Sequence, residues 1–205
     1  LLLAPRTVLF LKSGLPLDPP LERVLNSFLE RRFRREPLQH ILGTVSFCGI
    51  ELNVSPDALI PRPETELLAE HAWTRANRLA EPRPFILDFG TGTGCLAIAI
   101  RKNSPPSIVH ALDRSPKALA LARRNSRELE LEDISFHQGD GFSALPEPLA
   151  FDLIVSNPPY IPSAEIRLLQ PEVRDYDPRL ALDGDEDGLS FYRRFALEAA
   201  AWLKP

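Results

Sequence analysis

Four short apolar runs in the second half of the chain, FILDFG, IVHALD, ISFHQGD and FDLIVSNPPY, share one format: a run ends in glycine, acid or amide and is followed by a turn. Helical patterns separate or follow them, CLAIAI after the first, SPKALALARRN after the second, and GLSFYRRFALEAAAWL beyond a mixed segment after the last. Successive parallel strands need a crossover, and a parallel sheet must be covered on both faces. Strands alternating with helices therefore predict an α/β fold with a parallel sheet.

The earlier part of the chain reads differently. Leu21, Val24, Leu25, Phe28 and Leu29 have helical spacing, broken upstream by Pro16, Pro19 and Pro20, which predicts a small helical unit over residues 1–43. TVSFCGIELNVS alternates around Gly49 and reads as a hairpin. With the proline loop ALIPRPETE it gives a linker over 44–63, and a helix is expected from about Glu64 at the head of a catalytic unit over 64–205. A chain of 205 residues, 44% hydrophobic and 25% charged, has room for one such domain and a small appendage. The run RRFRRE is expected on a solvated helix face.

A net charge of −4 argues against a surface that holds nucleic acid by its phosphates. Two cysteines without a CxxC pair suggest neither a disulfide framework nor a zinc site, so no metal is expected and a reducing compartment fits. No apolar run approaches a membrane span, and LLLAPRTVLFL is interrupted by proline and arginine. The expected setting is a cytoplasm or an organelle matrix, and the expected state is a monomer. The sequence contains no methionine and stops just after a helical pattern, so a fragment trimmed at both ends is expected.

The motif ILDFGTGTG places an acid, Asp88, two residues before three alternate glycines, Gly90, Gly92 and Gly94, with Thr91 and Thr93 between them. A dinucleotide fingerprint would read GxGxxG and offer helix amides to a pyrophosphate. The acidic GxGxG version suits a ligand with an amino group and no phosphate, such as S-adenosylmethionine, with Asp88 toward the cationic group. Read alone, the glycines are also compatible with a tight strand-to-helix turn. Asp113, ending the second strand before the N-cap Ser115, is placed to accept both ribose hydroxyls of a nucleoside. Asp140, at the end of the third, could accept from an adenine amino group, with Gly141 beside it and Phe142 packing on the ring.

SNPPY follows the fourth strand, which in such a sheet lies beside the first, where the winding reverses and a crevice opens. Asn157 offers an acceptor and a donor. Pro158, followed by Pro159, leaves a rigidly aimed carbonyl as a second acceptor, and Tyr160 can cover a planar group. Two acceptors hold an NH2, so the expected target is a carboxamide or an exocyclic base amine, oriented toward a sulfonium methyl by Asn157, Pro158 and Tyr160.

Together, FGTGTG, Asp113, SNPPY and above all LIPRPETE resemble the protein-(glutamine-N5) methyltransferases that modify peptide-chain release factors. The likeness runs from REPLQHILG to DYDPRLALDGDEDGLSFYRR. It implies a Rossmann-like class I methyltransferase sheet joined through a β-hairpin to a helical N-terminal domain. It also implies S-adenosylmethionine as methyl donor, S-adenosylhomocysteine as product, and the glutamine of a class 1 release factor's GGQ loop as substrate. Carried over, Gly90 to Gly94, Asp113 and Asn157 would meet the cofactor, Asn157, Pro158 and Tyr160 the substrate amide, and Arg62 with the proline loop would grip the substrate.

Some positions depart from the family pattern. Gly141 stands where relatives carry a tryptophan, for which Phe142 is expected to compensate, Asp177 stands where glutamate is expected before Pro178, and Asp185 replaces a glycine. The final sheet strands are also missing from the pattern. Two rival readings are an N6-adenine nucleic-acid methyltransferase, which would need a base-reading surface, and a non-catalytic binding module, which predicts damage at Asp113 or Asn157.

Overall fold

The computed structural model describes residue 14 and residues 16–146 and 149–205, so the opening of the segment expected over 1–43 lies outside the described residues. The prolines open a helix and do not interrupt one. Helix α1, Pro19–Phe33, carries Pro19 and Pro20 in its first turn, where no backbone N–H is needed, and Pro16 lies before it; Glu22 is in that first turn and Arg31 and Arg32 in the last, each sign at the helix end it suits. No residue of α1 is buried, and Val24, Leu25 and Leu29 remain exposed. A short helix α2, Leu38–Leu42, follows.

The run RRFRRE, at the end of α1 and in the turn after it, is solvated as expected, with residues 32–35 exposed, and its charges pair both within the run and with a distant acid. Arg31 pairs with Glu36, while Arg32 and Arg35 both reach Glu172, at 2.8 and 2.6 Å. The Tyr176 hydroxyl donates to the Arg34 carbonyl at 2.9 Å. Glu172 lies 140 and 137 positions from its two partners, beyond the reach of any local reading.

Strands β1, Thr44–Phe47, and β2, Ile50–Asn53, pair antiparallel with Phe47 opposite Ile50. This leaves Cys48 and Gly49 as a two-residue turn with φ of 49° and 71°, the left-handed pair that matches strand twist in a tight hairpin. Phe47, Ile50 and Leu52 bury the inner face. The Cys48 N–H donates to Glu66 Oε1 at 2.8 Å, fixing the turn to helix α3, Pro63–Ala76, which begins one residue before the expected Glu64.

The main sheet contains β3 (Phe85–Phe89), β4 (Ile108–Asp113), β5 (Ser135–Gln138) and β6 (Leu153–Val155), all parallel, in the order β5-β4-β3-β6. The chain starts at the centre, winds outward through β4 to β5, and returns to the other side of β3 with β6. The reversal between β3 and β6 is the switch point of the doubly wound fold. Alternate residues of β3 feed opposite cores: Ile86 joins Ala69, Ala72, Ile98 and Val109 under α3 and α4 (Cys95–Asn103), whereas Leu87 and Phe89 join Phe142 and Ala199 beside α7 (Ser190–Glu198). Helix α5, Pro116–Glu128, follows β4, and a single turn α6, Pro171–Arg174, carries Glu172.

Residues 202–204 run beside the strand entry at Phe151, whose N–H donates to the Trp202 carbonyl and whose carbonyl accepts from the Lys204 N–H, at 2.8 and 2.9 Å. Among the described residues no helix is long and apolar enough to cross a membrane, and no group of His, Cys, Asp and Glu is placed to hold a metal ion.

Candidate active site

The glycine loop is held down by the strand beside it. The N–H groups of Gly90 and Thr91 both donate to the Leu112 carbonyl, at 2.8 and 2.9 Å. Asp113 continues the work: Oδ2 accepts from the Gly92 N–H and Oδ1 from the Ser115 N–H, each at 2.8 Å, and Ser115 Oγ caps α5 by accepting from Ala118 at 3.2 Å. Burial pushes the Asp113 carboxyl above the usual carboxylate range, while these backbone donors pull it back. Gly90 and Gly92 have φ of 79° and 55°, and a Cβ on either would stand in open space. They line a cavity of about 580 Å³ that also takes in Asp113, Asp140, Gly141 and Asn157. Side chains on these glycines would project into the space a ligand needs.

Asp88 corrects the sequence reading. It was expected toward the ligand, but it is fully buried beneath the loop, where Oδ2 accepts from Thr91 Oγ1 at 2.6 Å and from the Ala97 N–H at 3.1 Å, and it does not line the cavity. Burial raises its pKa to about 7. Off the cavity wall and bonded to Thr91 and Ala97, it shapes the loop and does not meet a ligand directly, and its Oδ1 has no partner among the described residues. Thr91 and Thr93 border the cavity, but both residues are buried, and the Thr93 carbonyl accepts from Asn125 Nδ2 at 3.0 Å.

Phe142 is the second correction. Expected to compensate for Gly141 against an adenine, it is 2% exposed and does not line the cavity. Its ring centroid lies 4.9 Å from Phe89 and 5.7 Å from Trp202, so hydrophobic burial has taken it into the core. Asp140 does border the cavity, with its Oδ1 accepting from Arg194 Nη2 at 2.8 Å, a bond that holds its carboxyl below the usual range.

On the β6 side, Ser156 Oγ donates to the Phe89 carbonyl at 2.7 Å and sets the start of SNPPY against β3. Asn157 Nδ2 donates to Thr65 Oγ1 at 3.0 Å. Among the described residues neither Asn157 Oδ1 nor the Pro158 carbonyl accepts a hydrogen bond, so both acceptors remain available. Asn157 and Pro158 border the large cavity and a second one of about 330 Å³, which Thr65, Arg62 and the 58% exposed Tyr160 also line. Pro159 borders only the first.

Arg62 was expected to grip a substrate. It borders both cavities, and its guanidinium pairs with the buried carboxylate of Asp177, which also accepts from the Ile60 N–H. The acid before Pro178 thus locks the proline loop to the segment behind SNPPY. That segment folds back onto the motif: the Ile161 N–H donates to the Leu182 carbonyl at 3.0 Å, and the Gly184 N–H to the Ile161 carbonyl at 2.9 Å. A Cβ on Gly188 would lie 2.4 Å from the Tyr160 carbonyl oxygen, so only glycine allows the approach. Asp185 holds a φ of 67°, the left-handed conformation that the expected glycine would adopt freely.

Three residues were missed by the sequence reading. Thr65 lies inside LIPRPETE, whose specificity was the available signal. Asn125 is an amide on the apolar stripe of ALALARRNS; it is 1% exposed and bonds to Asn53 and Thr93, uniting hairpin, helix and glycine loop. Arg194 gave no local signal, since its partner Asp140 lies 54 positions away.

Comparisons with known proteins give the family and the fold. Residues 64–173 match the family model described as Methyltransferase small domain, and residues 1–43 match PrmC N-terminal domain. A protein named release factor glutamine methyltransferase from Geobacter sulfurreducens is 45% identical over 98% of this chain and 68% of its own length. One of the same name from Deinococcus radiodurans is 44% identical over 98% of this chain and 70% of its own. A third, from Thermodesulfovibrio yellowstonii, is 41% identical over 87% of this chain and 64% of its own, so this chain spans about two thirds of these relatives. Among solved structures, the catalytic domain of hMettl16 in complex with a MAT2A 3'UTR hairpin is similar in fold, with TM-score 0.57, 18% identity, and coverage of 74% of this chain and 56% of that one.

Proposed function

The chain belongs to the release factor glutamine methyltransferases, and from that premise we propose that it methylates the side-chain amide nitrogen of the glutamine in a class 1 release factor's GGQ motif, with S-adenosylmethionine as donor. The observation that carries the reading is the position of Asn157 and Pro158 on the wall shared by two cavities, each with an unused acceptor. The larger cavity suits the donor: its glycine loop leaves room where side chains would stand, and Asp113 borders it as a charge-assisted acceptor for sugar hydroxyls. The smaller cavity suits the glutamine.

S-adenosylmethionine, when bound, supplies an electrophilic methyl group. The chain's own contribution is orientation. An amide nitrogen is a weak nucleophile because its lone pair is delocalised, so fixing both of its hydrogens in the Asn157 Oδ1 and the Pro158 carbonyl holds the nitrogen in one attitude. Thr65, by accepting from Asn157 Nδ2, keeps Oδ1 turned to the substrate side. Tyr160 covers one face of the amide. Asp88 acts from below by shaping the loop, and the Arg62–Asp177 pair braces the proline loop as part of the substrate entrance. In this reading residues 64–205 form the catalytic part, and residues 1–43 with the hairpin and proline loop, 44–63, help present the release factor.

The test is methyl transfer from labelled donor, offered in parallel to a folded release factor, a short GGQ peptide, DNA and RNA. The label should enter the release factor and disappear when its GGQ glutamine is replaced by alanine, and the peptide should be a poor substrate by kcat/KM. Label entering DNA or RNA in preference would replace this reading with a nucleic-acid one.

A further inference from the structure

We infer that the base-binding end of the large cavity is built from arginine: Arg194, with Arg114 as its neighbour, supplies the flat cationic surface for the adenine of the bound cofactor. The inference rests on the proposed reading of this cavity as the S-adenosylmethionine site.

If Asp113 at the end of β4 takes the ribose, the base attached to that ribose falls toward the next strand end, at β5. Gly139, Asp140 and Gly141, which follow β5, line the cavity there together with Arg114 and Arg194. Gly141 has no side chain to offer, and its φ of +110° disfavours one. A Cβ at that position would stand 3.8 Å from Arg194 Nη2 and 3.7 Å from Glu198 Oε2, so α7 delivers its charged side chains to the place a side chain of residue 141 would occupy. Phe142 has been drawn into the core. Phe89 and Phe191 also border the cavity, but their rings are packed edge-on against one another with centroids 5.4 Å apart, and Phe191 stacks on Phe195 at 5.5 Å.

The two arginines share one carboxylate at the cavity wall. Arg194 Nη2 lies 2.8 Å from Asp140 Oδ1, and its Nε lies 4.0 Å from Glu198, so the guanidinium is steadied by two carboxylates. Arg114 Nη1 approaches the other Asp140 oxygen at 3.9 Å. A guanidinium is planar, weakly hydrated and stacks on aromatic faces, which an ammonium does not do equally well. Asp140 then orients the arginines as well as bordering the base.

Calorimetric titration of S-adenosylhomocysteine and of adenosine checks this on the wild-type protein, Arg194→Ala and Arg194→Lys, with Arg114→Ala in parallel. Arg194→Ala should weaken both ligands by the same factor, about tenfold, because the lost contact is to the shared base. Arg194→Lys should remain weakened at least severalfold, and Arg114→Ala should lose less than Arg194→Ala. Arg194 is 42% exposed, and an unchanged thermal midpoint for its variants shows that the fold is intact. Wild-type affinity in Arg194→Ala, or full rescue by lysine, overturns the arginine surface while leaving the cofactor site standing. A wild-type protein that binds neither ligand overturns the reading of the cavity itself.

Discussion

The two sides of the cleft are built by different means. On the glycine-loop side the chain supplies most of its own contacts: the Leu112 carbonyl, the Asp113 carboxylate and the buried Asp88 together accept from Gly90, Thr91, Gly92, Ser115 and Ala97, and of the buried side-chain atoms there only Asp88 Oδ1 and Thr93 Oγ1 lack a partner among the described residues. On the SNPPY side, Asn157 is oriented through a single side-chain bond to Thr65, and Tyr160 is 58% exposed. A small ligand can be bound by a surface that is already finished. A glutamine on a folded protein brings surface of its own, so the side that receives it can stay open until that surface arrives.

The largest expected effect falls on the open side. Asn157→Ala should lower the single-turnover rate roughly 10²- to 10³-fold, about 2.7–4 kcal/mol, because one of two preorganised acceptors is gone, while donor affinity falls little. Rate and affinity falling in proportion would erase the contrast between the two sides. Asp113→Ala should do the reverse, weakening donor binding by about 1.5–3 kcal/mol in calorimetry. Unchanged affinity in a folded variant would make Asp113 a loop anchor only.

Thr65→Val keeps the shape and removes the partner of Asn157 Nδ2. The single-turnover rate should drop about five- to tenfold with donor affinity unchanged, and Thr65→Ser should recover most of it. Lack of rescue by serine would mean that packing, not the hydrogen bond, is what Thr65 supplies. The smallest effect concerns Asp185→Gly, which relieves a left-handed φ on the open side. Urea unfolding should show a gain of about 0.5 kcal/mol, the relief being partly offset by the greater freedom of glycine in the unfolded chain. A loss of stability would show that the Asp185 side chain contributes more than its backbone conformation costs.

What could be read from the sequence divides along the same physical line. The strands, the glycine loop and SNPPY are legible because local periodicity and turn chemistry determine them: each strand is a short apolar run closed by its own turn residues. Asp113 and Asn157 could be placed because they end such strands. Asp88 could not be told from a ligand-facing acid, since the same spacing serves a carboxylate turned under the loop. Phe142 was misjudged, and the ion pair of Arg62 unforeseen, for another reason: their partners, Trp202 and Asp177, lie far along the chain, and only tertiary packing brings them together. RRFRRE is solvated as expected, but its pairing with the distant Glu172 has no local signal either.

One buried amide has a consequence for how the molecule opens. Asn125 Oδ1 accepts from the Asn53 N–H at 2.8 Å, and its Nδ2 donates to the carbonyls of Asn53 and Thr93 at 3.1 and 3.0 Å. Displacing α5 carries Asn125 away from both Asn53 and Thr93, so one movement unpairs the edge of β2 and the carbonyl inside the glycine loop together. Fluctuations of the hairpin and of the donor loop are therefore not independent. In amide hydrogen exchange the two should report one shared opening, with the Asn53 N–H and the amides of the glycine loop losing protection together, as members of a single cooperative unit that joins the appendage to the catalytic sheet.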